Sequence, residues 1–186
     1  MGRSAINQLI ELHDSEIAAI DFDSGTAIVV FSHAYIHRSE GEPGRGPGTG
    51  WSQRAELVIA QAEVVGLTRA WPCTIFNGSL EMDGRILDNS IPIPLAVEGN
   101  VRLKLEVMDS DENFTAIEIC GNGARLSLLG EARYLEDFPG QSLPKEDNGS
   151  VGTTAATFPM NGLQASTQAA QQPKGDEISA TATGEC

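Results

Sequence analysis

The stretch Val101–Leu129, VRLKLEVMDSDENFTAIEICGNGARLSLL, decides the fold. Val101, Leu103, Leu105 and Val107 alternate with Arg102, Lys104 and Glu106, the two-residue period of a strand with one buried and one wet face. Asp109 to Asn113 then reads as a polar turn. Setting Val107 opposite Thr115 places Leu105 opposite Ile117 and Leu103 opposite Ile119, so the apolar residues of both strands share a face. Asn122-Gly123 is a dipeptide favoured in type I′ turns, and a turn there sets Ile119 opposite Leu126 and Ile117 opposite Leu128. The expectation is a three-stranded antiparallel meander whose outer face carries Arg102, Lys104, Glu106, Glu118, Arg125 and Ser127. A one-residue slip would expose every leucine, so the register is well specified. Tyr134 to Phe138 adds a last short strand or caps the sandwich.

Working towards the N-terminus, Ile17–Phe22 and Ala27–Ile36 flank Asp23-Ser24-Gly25-Thr26, a hairpin signal in which Gly25 supplies the positive φ of a tight connection. Its register sets Phe22 opposite Ala27, Ile20 opposite Val29, Ala18 opposite Phe31, Glu16 opposite His33 and Asp14 opposite Tyr35. Ala5 to Leu12 has the apolar spacing of a short amphipathic helix lying as a lid on the sheet. Ser39 to Gly50, SEGEPGRGPGTG, is so rich in Gly and Pro that neither ladder nor helix is expected, which makes it a long exposed loop. Trp51 at its exit pins the loop to the core or offers a contact platform; with Arg45 inside the loop it is a candidate for touching a partner. Gln53–Val65 is strand material with apolar residues on both faces, ending in a second short strand at Val64 and Val65. Cys73–Met82 resumes a strand with Thr74, Phe76, Leu80 and Met82 on one side and a bulge or close approach at Gly78. Asp83-Gly84 marks a hairpin, and Ile91-Pro92-Ile93-Pro94 an extended edge.

The whole reads as a mainly β domain over residues 1–138, an antiparallel β-sandwich or partly closed barrel of seven to nine short strands with a short N-terminal helix. Residues 139–186 are built of Ser, Thr, Ala, Gln, Gly and Pro with Phe158 as their only aromatic past Pro139, too little apolar surface to offset ordering, and are expected to form a disordered tail. Three cysteines, Cys73, Cys120 and Cys186, are odd in number and lack Cys-x-x-Cys spacing, so free thiols are expected. No signal peptide and no stretch of roughly 20 apolar residues is present, which points to the cytoplasm and away from a membrane.

The formal net charge is −14. Residues 1–138 hold 21 of the 26 Asp and Glu but 10 of the 12 Lys and Arg, so the acidity resides in the domain and not in the tail alone. Such a surface excludes binding to a nucleic-acid backbone and favours a basic protein partner. No nucleotide-binding, nucleophile-elbow or zinc-protease motif occurs; neither a catalytic residue nor a cofactor is assigned, and an enzyme is the less favoured reading. The alternative is a small metal-dependent enzyme or metal-binding protein using His13, Asp14, Glu16 and His33 at the far end of the first hairpin, imidazoles and carboxylates being a donor set that zinc accepts. His33 and His37 lie about 13 Å apart along a strand, too far to share an ion. The run Leu12-His13-Asp14-Ser15-Glu16-Ile17 ahead of a hairpin resembles small bacterial β-rich proteins of uncharacterised or toxin-immunity type. That resemblance implies a cytoplasmic, non-enzymatic immunity or accessory protein that neutralises its cognate toxin.

Overall fold

In a computed structural model the described residues, 7–41, 47–68 and 70–138, form nine strands and no helix. These are β1 (Asn7–Asp23), β2 (Thr26–Ser39), β3 (Gly48–Ala60), β4 (Glu63–Val65), β5 (Cys73–Met82), β6 (Arg85–Asp88), β7 (Ser90–Ile93), β8 (Ala96–Met108) and β9 (Phe114–Phe138). All pairings are antiparallel. The order is β6-β5-β8-β9-β3-β2-β1-β7, with β4 beside β9, and a short second pairing of β5 with β1 closes six of the strands into a ring. Phe31, Ile17, Leu57, Ile75, Leu103 and Ile119 are among the fully buried side chains of its core.

The β8–β9 hairpin has the expected register, Val107 opposite Thr115, Leu105 opposite Ile117 and Leu103 opposite Ile119. Its turn is organised by Asp109, whose Oδ1 accepts from the backbone N–H groups of Asp111 and Asn113 and whose Oδ2 accepts from the Thr68 hydroxyl. The Asn113 hydrogen bond, with the others, holds this carboxyl below the usual range against the opposing effect of burial. The expected turn at Asn122-Gly123 is not formed. Both residues lie inside β9, and Leu126 and Leu128 pair with Leu57 and Ala55 of β3. Local turn propensity is overridden because β3 takes its second neighbour from the distal half of β9, while β8 takes the proximal half. Gly121 makes the crossover possible: a Cβ there would lie 2.5 Å from both the Ala60 carbonyl oxygen and Ile59 Cγ2.

The first hairpin turns at Ser24-Gly25, with φ of 50° and 75°, the positive values of a type I′ loop. Phe22 faces Ala27, Ile20 faces Val29 and Glu16 faces His33 as expected, but Phe31 pairs with Ile17 and Tyr35 with Glu11. Bulges in β1 produce the difference. The largest sets Leu12–Ser15 opposite Ala34 alone, an irregularity that a period-two reading cannot register. The N-terminal helix is also corrected. Asn7–Leu12 belong to β1, with Asn7–Glu11 paired to β2 and Gln8–Glu11 also paired to β7; so short a helix would be marginal, whereas the two neighbours satisfy the backbone of Gln8–Glu11.

Asp83-Gly84 forms the expected tight turn, and the proline-bearing β7 lies at the end of the sheet path. Gly78 is a close approach, where a Cβ would fall 2.8 Å from Leu12 Cδ1. A register shift between Ile75 and Asn77 separates Phe76, which is exposed, from buried Leu80. Burial of β3 is one-sided, since Leu57 and Ile59 are buried but Val58 is half-buried and Ala60 exposed. The Gly/Pro connection is shorter than its composition suggests, because Ser39 pairs with Gly48 and Thr49 and Gly50 continue the ladder. Cys73 is a free, buried thiol raised to about 11, chiefly by burial, but Cys120 is disulfide-bonded. An odd count argues against a framework and does not exclude a single bridge. Cys186, Arg45 and the tail from 139 lie outside the described residues.

Candidate functional site

The Leu12–Ser15 bulge is held at several points. Ser15 is buried and substitutes for the interrupted ladder, its hydroxyl accepting from the Tyr35 backbone N–H and donating to the Glu11 carbonyl. Leu12 turns into the core, with its N–H on the Asn89 carbonyl. His13 and Asp14 turn outwards, each close to half exposed. This brings one donor atom each from Glu11, His13 and Asp14 within 4.8 Å of one another, the only such group of three among the described residues. The His13 backbone N–H donates to Asn89 Oδ1, and the Asn89 amide nitrogen donates to His13 Nδ1. That leaves the ring proton on Nε2, 2.9 Å from Asp14 Oδ2.

Behind Glu11 lies a buried polar layer. His37, 4% exposed, meets Glu11 Oε1 through Nδ1 at 3.0 Å and stacks on Phe138 with ring centroids 4.6 Å apart. The Tyr35 hydroxyl donates to Glu136 Oε1 at 2.9 Å; burial first, then that carboxylate, pushes its pKa up. Gly48 and Gly50 make room for these two rings. A Cβ at Gly48 would approach His37 Nε2 to 2.7 Å, and one at Gly50 would strike the Tyr35 hydroxyl. Sequence reasoning missed Glu11, Glu136 and this layer. The signal was present as Gly48-x-Gly50 and Tyr35-x-His37, two alternations of period two that belong on neighbouring strands.

Of the residues singled out from sequence, His13 and Asp14 come together, whereas Glu16 and His33 point to other partners. Glu16 Oε1 accepts from the Ser32 hydroxyl at 2.5 Å, and His33 Nδ1 meets Ser52 Oγ at 2.8 Å. His33→Gln is expected to cost about 1 kcal/mol or less, the scale of one side-chain hydrogen bond; a urea-melt difference above about 2 kcal/mol would show that more depends on this ring. Trp51 packs against the core, with the Arg38 guanidinium 4.4 Å above its ring, Tyr134 edge-on at 5.5 Å and its indole N–H on Thr49 Oγ1. Arg45 is not among the described residues.

A second surface feature had no sequence signal beyond hydrophobicity. On the outer face of β5, β8 and β9, Phe76 and Phe114 touch at 5.2 Å between centroids while 50% and 69% exposed. Met108 lies opposite Phe114, exposed Ala116 lies opposite Glu106, and Val65, 69% exposed, lies opposite Glu118. Val65, Ala116, Glu106 and Glu118 also line an adjoining groove of 360 Å³, where Lys104 is the one cation. No helix among the described residues is long and apolar enough to cross a membrane. Comparison with family models, curated proteins and solved structures finds no match.

Proposed function

We propose that this is an acidic, non-enzymatic binding protein that docks a basic partner protein on the outer face of β5, β8 and β9. The observation that carries the reading is the exposed Phe76–Phe114 pair, which follows the acidic turn Asp111-Glu112 on a face that also carries Glu106, while Glu118 further along β9 is paired with Arg102. Exposed aromatics grouped on a sheet face are anchor-type residues, and surrounding carboxylates speed encounter with a cationic surface. A second copy of the chain fits less well, since it brings the same net charge of −14 to the interface. In this proposal the six-stranded ring is a partly closed barrel whose outer face carries the patch. An immunity-type role, suggested by the Leu-His-Asp opening, is one form such binding takes.

The experiment is capture by the immobilised full chain, followed by titration of the purified captured protein. Expected is a basic protein whose affinity falls steeply with salt and is lost in the Phe76→Ala/Phe114→Ala double variant. Because both rings are substantially exposed, that variant should retain stability to within about 0.5 kcal/mol per site. Salt-insensitive binding, or a double variant that binds equally well, rejects the proposal.

A further inference from the structure

We propose that Glu11, His13 and Asp14 bind one divalent transition-metal ion, a site separate from the aromatic face. Two carboxylates and an imidazole converge within 4.8 Å. Among the described residues no Lys or Arg pairs with Glu11 or Asp14; they meet the imidazoles of His37 and His13 instead. Like charges brought together without a cation repel, and a bound cation removes that repulsion. The imidazole selects the class: oxygen-only sites suit calcium and magnesium, whereas mixed nitrogen and oxygen donors suit zinc and its neighbours. The surroundings have the form of an outer shell. Buried His37 orients the Glu11 carboxylate, and the bulge is fixed to Asn89 through the backbone N–H groups of Leu12 and His13. Half-exposed His13 and Asp14 leave room for water at the remaining positions.

One feature of the geometry opposes the ion and supplies the sharpest test. Ligation through His13 Nε2 requires the proton there to leave or to move to Nδ1, and Nδ1 now faces the Asn89 amide donor. A carboxylate at position 89 would accept a proton from Nδ1 and still accept the His13 backbone N–H. Asn89 has a φ of 49°, a region that Asp also tolerates. Asn89→Asp is therefore expected to tighten zinc binding by about tenfold or more, the scale of outer-shell effects on metal affinity.

The measurement is calorimetric titration of the metal-free full chain with zinc chloride in the presence of excess magnesium, which suppresses loose binding to exposed carboxylates. One ion per chain is expected, with the saturable signal lost in His13→Gln and in Asp14→Asn and unchanged in His33→Gln. Both ligand variants alter half-exposed side chains, so circular dichroism should show them folded. Binding without a one-to-one end point, binding that survives His13→Gln, or an Asn89→Asp variant that binds zinc no more tightly overturns the proposal.

Discussion

Replacing Phe31 by alanine is expected to cost about 3–5 kcal/mol of folding stability, the range for deleting a buried aromatic ring, and to lower the melting temperature by roughly 10–20 °C. Phe31 is fully buried and is among the largest side chains in the core. It pairs with Ile17 of β1 and Ala55 of β3, and irregularities adjoin it in both ladders. Neighbours on two strands thus flank one ring at the place where backbone pairing is least regular. Such a site cannot collapse to fill the void without shifting a bulge, so the upper part of the range is expected. Urea denaturation with an unchanged slope would assign the loss to the native state. A loss below about 1 kcal/mol would mean that the bulged end of the hairpin is not packed as described. The exposed rings Phe76 and Phe114 provide the contrast, since their removal is expected to affect binding and leave stability nearly intact.

How much of this was legible follows from which interactions are local. The Val101–Val107 and Thr115–Ile119 strands were readable because each apolar side chain sits two residues from the next and one face stays wet. The Ser24-Gly25 and Asp83-Gly84 turns were readable because positive φ restricts residue choice. What failed depends on distant segments. Asn122-Gly123 has the composition of a turn but lies within a strand of 25 residues, because β3 needs a neighbour there. Leu12–Ser15 looks like a continuation of β1 but bulges towards Asn89, more than seventy residues away. For the candidate metal site this had a direct consequence. A regular ladder assembles His33 and Glu16, whereas the bulge assembles Glu11 with His13 and Asp14. By composition Gly48 and Gly50 belong to an exposed loop, although their lack of a side chain is what Tyr35 and His37 use.

Gly121→Ala separates the two readings of β9 by the sign of its effect. Were Asn122-Gly123 a type I′ turn, residue 121 would end an ordinary strand. Alanine would then remove freedom from the unfolded chain and stabilise by about 0.4–1 kcal/mol. In the ring, the new methyl group would meet the Ala60 carbonyl oxygen and Ile59 Cγ2, each at 2.5 Å. The φ of Gly121 is outside the left-handed region, so the clash and not backbone strain decides the outcome. Ile59 is fully buried and the Ala60 carbonyl belongs to the backbone of β3, so neither neighbour can swing aside cheaply. Relief requires moving β3 away from β9 at the crossover, and overpacking of this kind typically costs about 1–3 kcal/mol. Val101, which pairs with Gly121, and Ile119 with Leu103 two positions further along the ladder, would share the displacement. Hydrogen exchange should therefore show the β8–β9 and β3–β9 amides near the crossover opening together, while the Asp83-Gly84 hairpin end remains as in the parent protein. A chemical melt in which Gly121→Ala is as stable as the parent or more so would restore the turn and break the ring at β9.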